Sequence, residues 1–119
     1  MNVASLPQPV RAEVERPFGE KLSRSRQLVR LFARREDTFV SCSFGKDSTV
    51  VLWLCLQENP NILVVFNNTG IEFPETVELK ERLREEWRLN LIETRPKKSF
   101  WQIAEEHGLD DGKKYRDAC

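Results

Sequence analysis

The chain has 119 residues, with 19 basic and 19 acidic side chains and no formal net charge at pH 7. This length suits one domain or part of one, and the balanced charge gives no overall attraction to nucleic acid or to an acidic membrane surface. No apolar run approaches the roughly 20 residues that cross a bilayer, and the start of the chain lacks the basic segment and apolar core of a signal peptide. We therefore expect a cytoplasmic protein with neither a membrane nor a nucleic acid as its partner.

The first part of the chain predicts a leader followed by a helix. Residues 1–17 hold three of the six prolines and show no clean hydrophobic period, which predicts a flexible leader and a domain over 18–119. From Phe18 onward, apolar residues return at helical spacing with arginines on the other side, which predicts an amphipathic helix packed on a sheet. The arginine stripe would suit a nucleic acid backbone, but a solvated basic face is the commoner reason for this pattern.

The next stretch predicts a strand, a phosphate-binding loop and a helix. Residues 38–40 are β-branched or aromatic, a polar turn follows over Ser43–Ser48, and an apolar helical run continues to Glu58. We expect Asp47 and Ser48 to cap this helix, because their side-chain oxygens can accept first-turn amides. The remaining free amides lie at the positive end of the helix dipole and favour an anion such as phosphate.

Strands and helices continue to alternate along the rest of the chain. Residues 62–66 form a continuous apolar run, which is typical of a parallel strand buried on both faces. Pro74 opens a second crossover helix, and residues 90–94 are predicted as a third strand near a sheet edge. Ser99 and Gln102 form a capping box for a short last helix. The alternation predicts an α/β fold, with a parallel sheet between helices in a three-layer α/β/α arrangement.

The three cysteines, Cys42, Cys55 and Cys119, are odd in number and widely spaced. This pattern suggests neither a disulfide framework nor a zinc site. Cys42 and Cys55 lie in apolar segments and are predicted to be buried. Only Cys119 is then available, and one thiolate cannot build an iron–sulfur cluster in this chain alone. The role of Cys119 stays open.

Two motifs together resemble one family. The loop Ser43-Phe44-Gly45-Lys46-Asp47-Ser48 resembles the Ser-Gly-Gly-x-Asp-Ser signature of the PP-loop, adenine-nucleotide alpha hydrolase-like proteins. The run Asn67-Asn68-Thr69-Gly70-Ile71-Glu72-Phe73-Pro74-Glu75-Thr76 is similar to a segment of phosphoadenosine phosphosulfate (PAPS) reductases, and a looser similarity continues through residues 95–101. Phe44 replaces the first glycine of the signature, so this position is expected to tolerate a Cβ and not to need a positive φ.

Three polar segments are expected to form one ligand site, because ligands of an open parallel sheet bind beyond the carboxyl ends of its strands. The predicted site residues are Ser43, Phe44, Gly45, Lys46, Asp47 and Ser48, then Asn68, Thr69, Gly70 and Glu72, and finally Arg95, Lys97 and Lys98. Backbone amides and cations suit a phosphate or phosphosulfate group, and the resemblance implies an adenine nucleotide as the ligand. No covalently bound cofactor is expected, and Asp47 is a candidate Mg²⁺ ligand if the nucleotide is ATP.

The resemblance implies two chemistries. One cleaves ATP between its α- and β-phosphates and activates a substrate by adenylylation for sulfur transfer. The other reduces PAPS or adenosine phosphosulfate through attack of a cysteine on sulfur, which releases sulfite; some relatives of this kind carry an iron–sulfur cluster. The second motif favours sulfonucleotides. The sequence has no Glu-Cys-Gly segment like that around the reductase cysteine, so a complete reductase cycle by this chain alone is not expected.

The alternative is a nucleotide-binding module, or an incomplete domain, without turnover of its own. In the resembling family, the sheet has further strands on the far side of the first strand. The resemblance therefore implies that the sheet is incomplete in this chain and is completed by a homodimer, by a partner chain or by further residues.

Overall fold

The computed structural model describes residues 2–108, and the predicted polar tail with Cys119 lies outside this part. After a 3-10 helix (Val3–Ser5), the elements are α1 (Gln8–Glu15), α2 (Phe18–Phe32), β1 (Phe39–Ser41), α3 (Lys46–Glu58), β2 (Leu63–Asn67), α4 (Pro74–Glu86), β3 (Asn90–Thr94) and α5 (Phe100–His107). The strands form a parallel sheet in the order β1-β2-β3. The predicted α/β fold with a parallel sheet is therefore confirmed.

The hydrophobic core lies between one face of the sheet and the two crossover helices. Val40, Val64 and Phe66 occupy this face and are buried, together with Leu52 of α3 and Leu83 of α4. Both crossovers run in the same direction along the sheet, so right-handed connections place α3 and α4 on the same side.

The opposite face of the sheet is more open. Phe39 and Ile92 point to this face and are each about half exposed. In β2, Leu63 and Val65 are only partly buried there, whereas Val64 and Phe66 are fully buried on the other face. The prediction that the second strand is buried on both faces is wrong, because both described crossover helices cover the same face.

The residues before the sheet are more regular than the sequence predicted. The leader 1–17 contains the 3-10 helix and α1, although its sequence shows no clean hydrophobic period. Helix α1 buries no residue, and Pro9 is tolerated in its first turn, where the missing amide has no helical partner. Among residues 2–108, no helix is both long enough and apolar enough to cross a membrane.

Helix α2 contacts α3 and joins the core only near its carboxyl end. Val29 packs against the buried residues, and Ala33, just after the helix, is part of them. The Arg30 and Arg34 guanidinium groups donate to the Glu58 carboxylate at 3.0 and 3.2 Å. Part of the predicted arginine stripe thus serves to connect α2 with the end of α3.

The predicted capping box at α5 is confirmed. The Ser99 hydroxyl oxygen accepts from the Gln102 amide at 3.2 Å, and the Gln102 side-chain oxygen accepts from the Ser99 amide at 2.8 Å. These two bonds fix the point where the chain turns from the loop after β3 into a helix.

Candidate functional site

The three predicted site segments begin side by side at one edge of the sheet. The Cys42 amide, just after β1, donates to the Val65 carbonyl at 2.9 Å. The Asn68 amide, just after β2, donates to the Thr94 carbonyl at 2.8 Å. The loop after β1 therefore starts beside β2, and the loop after β2 starts beside the end of β3.

The loop after β1 leads into a helix start without a side-chain cap. Helix α3 begins at Lys46, its N-cap is Gly45, and no side chain accepts a capping hydrogen bond. The prediction that Asp47 and Ser48 are caps is wrong, since both lie inside the first turn. The Ser48 hydroxyl instead donates to the Gly45 carbonyl at 3.2 Å and lies 3.1 Å from the Ser43 hydroxyl. The first-turn amides thus remain available to an external anion.

Two charged side chains stand at this helix start. Lys46 and Asp47 are 90% and 95% exposed, and the Lys46 ammonium lies 3.9 Å from the Asp47 carboxylate. The carboxylate is favourable near the positive end of the helix dipole. Lys46 is free to move toward an anion, because an exposed pair at this distance holds it only weakly.

Phe44 adopts a positive φ, contrary to the prediction that this position would not need one. Its φ is +57°, in the left-handed region that is costly for a residue with a Cβ. Its ring is buried, with 3% exposure, and meets the Phe66 ring edge to face at a centroid distance of 5.5 Å. Burial of this ring offsets the backbone strain. The Phe44 side chain belongs to the core, and its backbone amide donates to the Cys42 Sγ atom at 3.4 Å.

The loop after β2 is shaped by its own hydrogen bonds. The Asn68 side-chain oxygen accepts from the Gly70 amide at 2.9 Å, and the Thr69 hydroxyl donates to the Glu72 carboxylate at 2.8 Å. Gly70 has a φ of +87°, and a Cβ built there would meet no atom within 4 Å. Glycine is therefore needed at this position for the backbone conformation and not for space.

A cavity of about 350 Å³ lies between the second and third loops. Five of the predicted site residues line it: Asn68, Thr69, Gly70, Glu72 and Arg95. Ser99, the N-cap of α5, joins them. Lys97 and Lys98 do not line the cavity, and the Lys98 ammonium donates to the Glu106 carboxylate at 2.6 Å. The six predicted residues of the first loop do not line it either.

Sequence reasoning missed a buried ion pair beside this cavity. Lys80 is 2% exposed, and its ammonium donates to the carboxylates of Glu93 and Glu81, both at 2.8 Å. It also lies 5.2 Å from the centroid of the Phe66 ring. The sequence carried one signal of this pair, because Glu93 is a charged residue within β3. In the sheet it lies beside Phe66, on the face that packs against the core.

Glu93 accepts hydrogen bonds from both loops that form the cavity. Its Oε1 atom accepts from the Asn68 side-chain nitrogen at 2.7 Å and from the Arg95 guanidinium at 3.0 and 3.1 Å. The hydrogen bond from Lys80, then that from Asn68, lowers the pKa of Glu93 to about 2; burial opposes them and Arg95 assists. Burial lowers the pKa of Lys80, but its bonds to Glu81 and Glu93 outweigh this and raise it. Both groups are therefore charged at neutral pH.

Glu93 should make the stability of the fold depend on pH in the acid range. Because its pKa is lower in the folded state than the ordinary 4.5, its contribution is complete above pH 4.5 and is lost as the pH falls toward 2. With a fifth of its side chain still exposed, we expect the free energy of unfolding to fall by on the order of 1–2 kcal/mol from this group. Urea unfolding between pH 7 and pH 2 measures it.

The matched variant for this measurement is Glu93→Gln. Its unfolding free energy should be lower at pH 7 and should vary less between pH 4.5 and 2, since the titrating group has been removed. Equal pH dependence of both proteins would show that other carboxylates cause it.

Comparison with known proteins identifies the family. The family model of the phosphoadenosine phosphosulfate reductase domain matches residues 37–119. The chain belongs to this family. The matched region contains β1, α3 and all three polar segments described above, whereas α1 and α2 precede it.

This PAPS reductase-domain chain resembles bacterial adenosine 5'-phosphosulfate reductases. It is 44% identical over 69 residues to the adenosine 5'-phosphosulfate reductase of Bacillus cereus (strain AH187), a match that covers 57% of this chain and 30% of that protein. It is 39% identical over 75 residues to the enzyme of the same name from Bacillus mycoides (strain KBAB4), covering 62% and 32%. The chain thus spans about a third of the length of these relatives.

A solved structure supports the fold of this family member. The chain is similar to the crystal structure of phosphoadenylyl-sulfate (PAPS) reductase from Candida auris, in a phosphate complex, with a TM-score of 0.59 and 19% identity. The match covers 95% of this chain and 56% of that one. At this identity the likeness establishes the fold.

Proposed function

We propose that this chain binds an adenine sulfonucleotide, either adenosine 5'-phosphosulfate or PAPS, at the carboxyl edge of its sheet. The proposal is supported by membership of the PAPS reductase family and by sequence identity of part of the chain to adenosine 5'-phosphosulfate reductases. The structural observation that carries it is the helix start of α3, which has no side-chain cap and follows a strand that ends at the same sheet edge as the cavity. Such a helix start binds anions.

Two parts of the ligand are proposed to bind in two places. The amides at the start of α3 and the Lys46 ammonium hold the phosphosulfate group through charge-assisted hydrogen bonds. The cavity between Asn68 and Arg95 receives the remainder of the nucleotide, and its volume of about 350 Å³ falls in the range of small-molecule sites. The phosphate complex of the Candida auris enzyme supports an anion site on this fold.

A reductase step on this ligand would need a thiol from outside residues 2–108. Cys42 and Cys55 are buried in the core, and burial raises the pKa of the Cys55 thiol. A buried thiol with a raised pKa is a poor nucleophile. We therefore propose nucleotide binding for this chain. The attacking cysteine would be Cys119, or it would come from a homodimer partner, from another chain or from further residues that also complete the sheet.

Mg²⁺-ATP is the second candidate ligand, because Asp47 presents an exposed carboxylate beside the proposed phosphate site. Between residues 2 and 108 no three His, Cys, Asp or Glu side chains are grouped to hold a metal. Mg²⁺ would then be held by Asp47 and chiefly by the nucleotide phosphates. The two buried cysteines of the described residues do not fit an iron–sulfur cluster. The cytoplasmic location stays a prediction.

Calorimetric titration with adenosine 5'-phosphosulfate, PAPS and Mg²⁺-ATP tests the proposal. We expect one of the sulfonucleotides to bind at least about tenfold more tightly than Mg²⁺-ATP. Assays for sulfite, with a thiol reductant present, and for pyrophosphate accompany the titration. Binding without either product would identify a binding module, and sulfite release that is lost in Cys119→Ser would show that the chain supplies its own thiol. Preference for Mg²⁺-ATP with pyrophosphate release would replace the sulfonucleotide proposal by adenylylation.

A further inference from the structure

We propose that Glu93, held in place by Lys80, is a positioning residue that prepares Asn68 and Arg95 for the ligand of the cavity. This inference rests on the proposed function. Glu93 does not line the cavity itself, but it accepts hydrogen bonds from Asn68 and Arg95, which do, so its role is to orient them and not to contact the nucleotide.

The two oxygens of the Glu93 carboxylate have separate partners. Oε2 accepts from the Lys80 ammonium at 2.8 Å, and Oε1 accepts from both Asn68 and Arg95. Lys80 is 2% exposed, whereas Arg95 is 72% exposed. One cation is therefore fixed in the core under the carboxylate, and the other lies on the rim of the cavity.

The bond to Glu93 determines which way the Asn68 side chain points. A carboxylate only accepts hydrogen bonds, so it faces the Asn68 nitrogen and directs the Asn68 oxygen toward the Gly70 amide, 2.9 Å away. That second bond supports the turn in which Gly70 has its positive φ. Glu93 thus controls the shape of the loop that forms one wall of the cavity.

Lys80 determines whether Arg95 can leave Glu93. The charged groups around the Glu93 carboxylate are Lys80 and its neighbour Glu81 from α4, and Arg95 from the end of β3. When Arg95 turns toward an anionic ligand, Lys80 still neutralises Glu93, so this partly buried carboxylate keeps a cationic partner. Without Lys80, Glu93 would hold Arg95, because a partly buried carboxylate without a cationic partner is costly.

The first test concerns the release of Arg95 from Glu93 toward the ligand (the Arg95 step). It compares Lys80→Met with the double variant Lys80→Met/Glu93→Gln. Adenosine 5'-phosphosulfate, PAPS and Mg²⁺-ATP are titrated into each protein by calorimetry. We expect Lys80→Met to weaken binding of the tightest nucleotide about tenfold, and the double variant to recover to within about threefold of the unchanged protein. The double variant has no charge at position 93 to hold Arg95, and it buries no unpaired charge. Lys21→Met, an exposed lysine on α2, is the matched control and should bind as the unchanged protein does.

The second test concerns the orientation of the Asn68 side chain by Glu93 (the Asn68 step). It compares Glu93→Ala with Glu93→Gln. Glutamine keeps an oxygen that can accept from Asn68, whereas alanine does not. We expect Glu93→Ala to weaken binding about tenfold and Glu93→Gln to remain within about threefold of the unchanged protein. In the ligand-free protein, the NMR signals of the Asn68 side-chain amide should move in Glu93→Ala and stay near their positions in Glu93→Gln.

The outcomes separate this inference from the proposed function. If the unchanged protein binds none of the three nucleotides, the proposed function and the ligand role of Glu93 are both overturned, while the NMR comparison still decides whether Glu93 orients Asn68. If the protein binds a nucleotide but the double variant is as weak as Lys80→Met, the Arg95 step is overturned. Equal binding by Glu93→Ala and Glu93→Gln overturns the Asn68 step, with nucleotide binding itself intact.

Discussion

Replacing Phe44 by alanine is expected to lower the free energy of unfolding by about 3–5 kcal/mol, the usual cost of removing a buried aromatic ring from a core. Phe44 is 3% exposed, and its ring packs against Phe66, which lies at the centre of the sheet. The loss should be large because alanine gives up this packing and yet keeps the strain of a positive φ at this position. Urea unfolding followed by tryptophan fluorescence measures the change.

Phe44→Gly is the matched control for this prediction. Glycine also lacks the ring, but it accepts a φ of +57° without strain. We expect Phe44→Gly to be more stable than Phe44→Ala by about 1 kcal/mol, although glycine is normally the more destabilising of the two residues. If Phe44→Ala were the more stable variant, the positive φ would not be a feature of the folded loop.

Replacing Lys46 by alanine is expected to weaken sulfonucleotide binding by about 1.5–3 kcal/mol, the value of a hydrogen bond to a charged group. This corresponds to about 10- to 150-fold in the dissociation constant. The expectation rests on the proposed function and on the place of Lys46 at a helix start that has no side-chain cap. Calorimetric titration with adenosine 5'-phosphosulfate and PAPS measures the change.

Stability should be unaffected in Lys46→Ala, because the Lys46 side chain is 90% exposed. Lys21→Ala, which removes an exposed lysine from α2, controls for the general loss of one positive charge. Equal weakening in both variants would indicate a long-range charge effect, and unchanged affinity in Lys46→Ala would exclude Lys46 from the site.

Local patterns in the sequence were sufficient for the order and type of the elements from α2 onward. The apolar runs of β2 and α3, the proline at the start of α4 and the capping box at Ser99 each act within a few residues. Parallel pairing then follows, because each connection between strands contains a helix. The same reasoning places the three polar loops at one edge of the sheet, since parallel strands end together.

The details of the candidate site depend on residues that are far apart in the sequence. Phe44 tolerates a positive φ because its ring packs against Phe66, a residue in another strand. Lys80 can be buried because the carboxylates of Glu93 and Glu81 neutralise its charge, and Glu93 reaches it from another element of the fold. Asn68 points as it does because Glu93 lies beside it.

The sequence by itself therefore determined the α/β fold, the parallel pairing of the strands and the loop positions, since these follow from short-range periodicity and chain connectivity. Only the tertiary structure decided which loop residues line the cavity, that the Phe44 ring enters the core and which charges are paired. The physical reason is that strain, burial and ion pairing are balanced between distant segments, and such a balance leaves little periodic trace in the sequence.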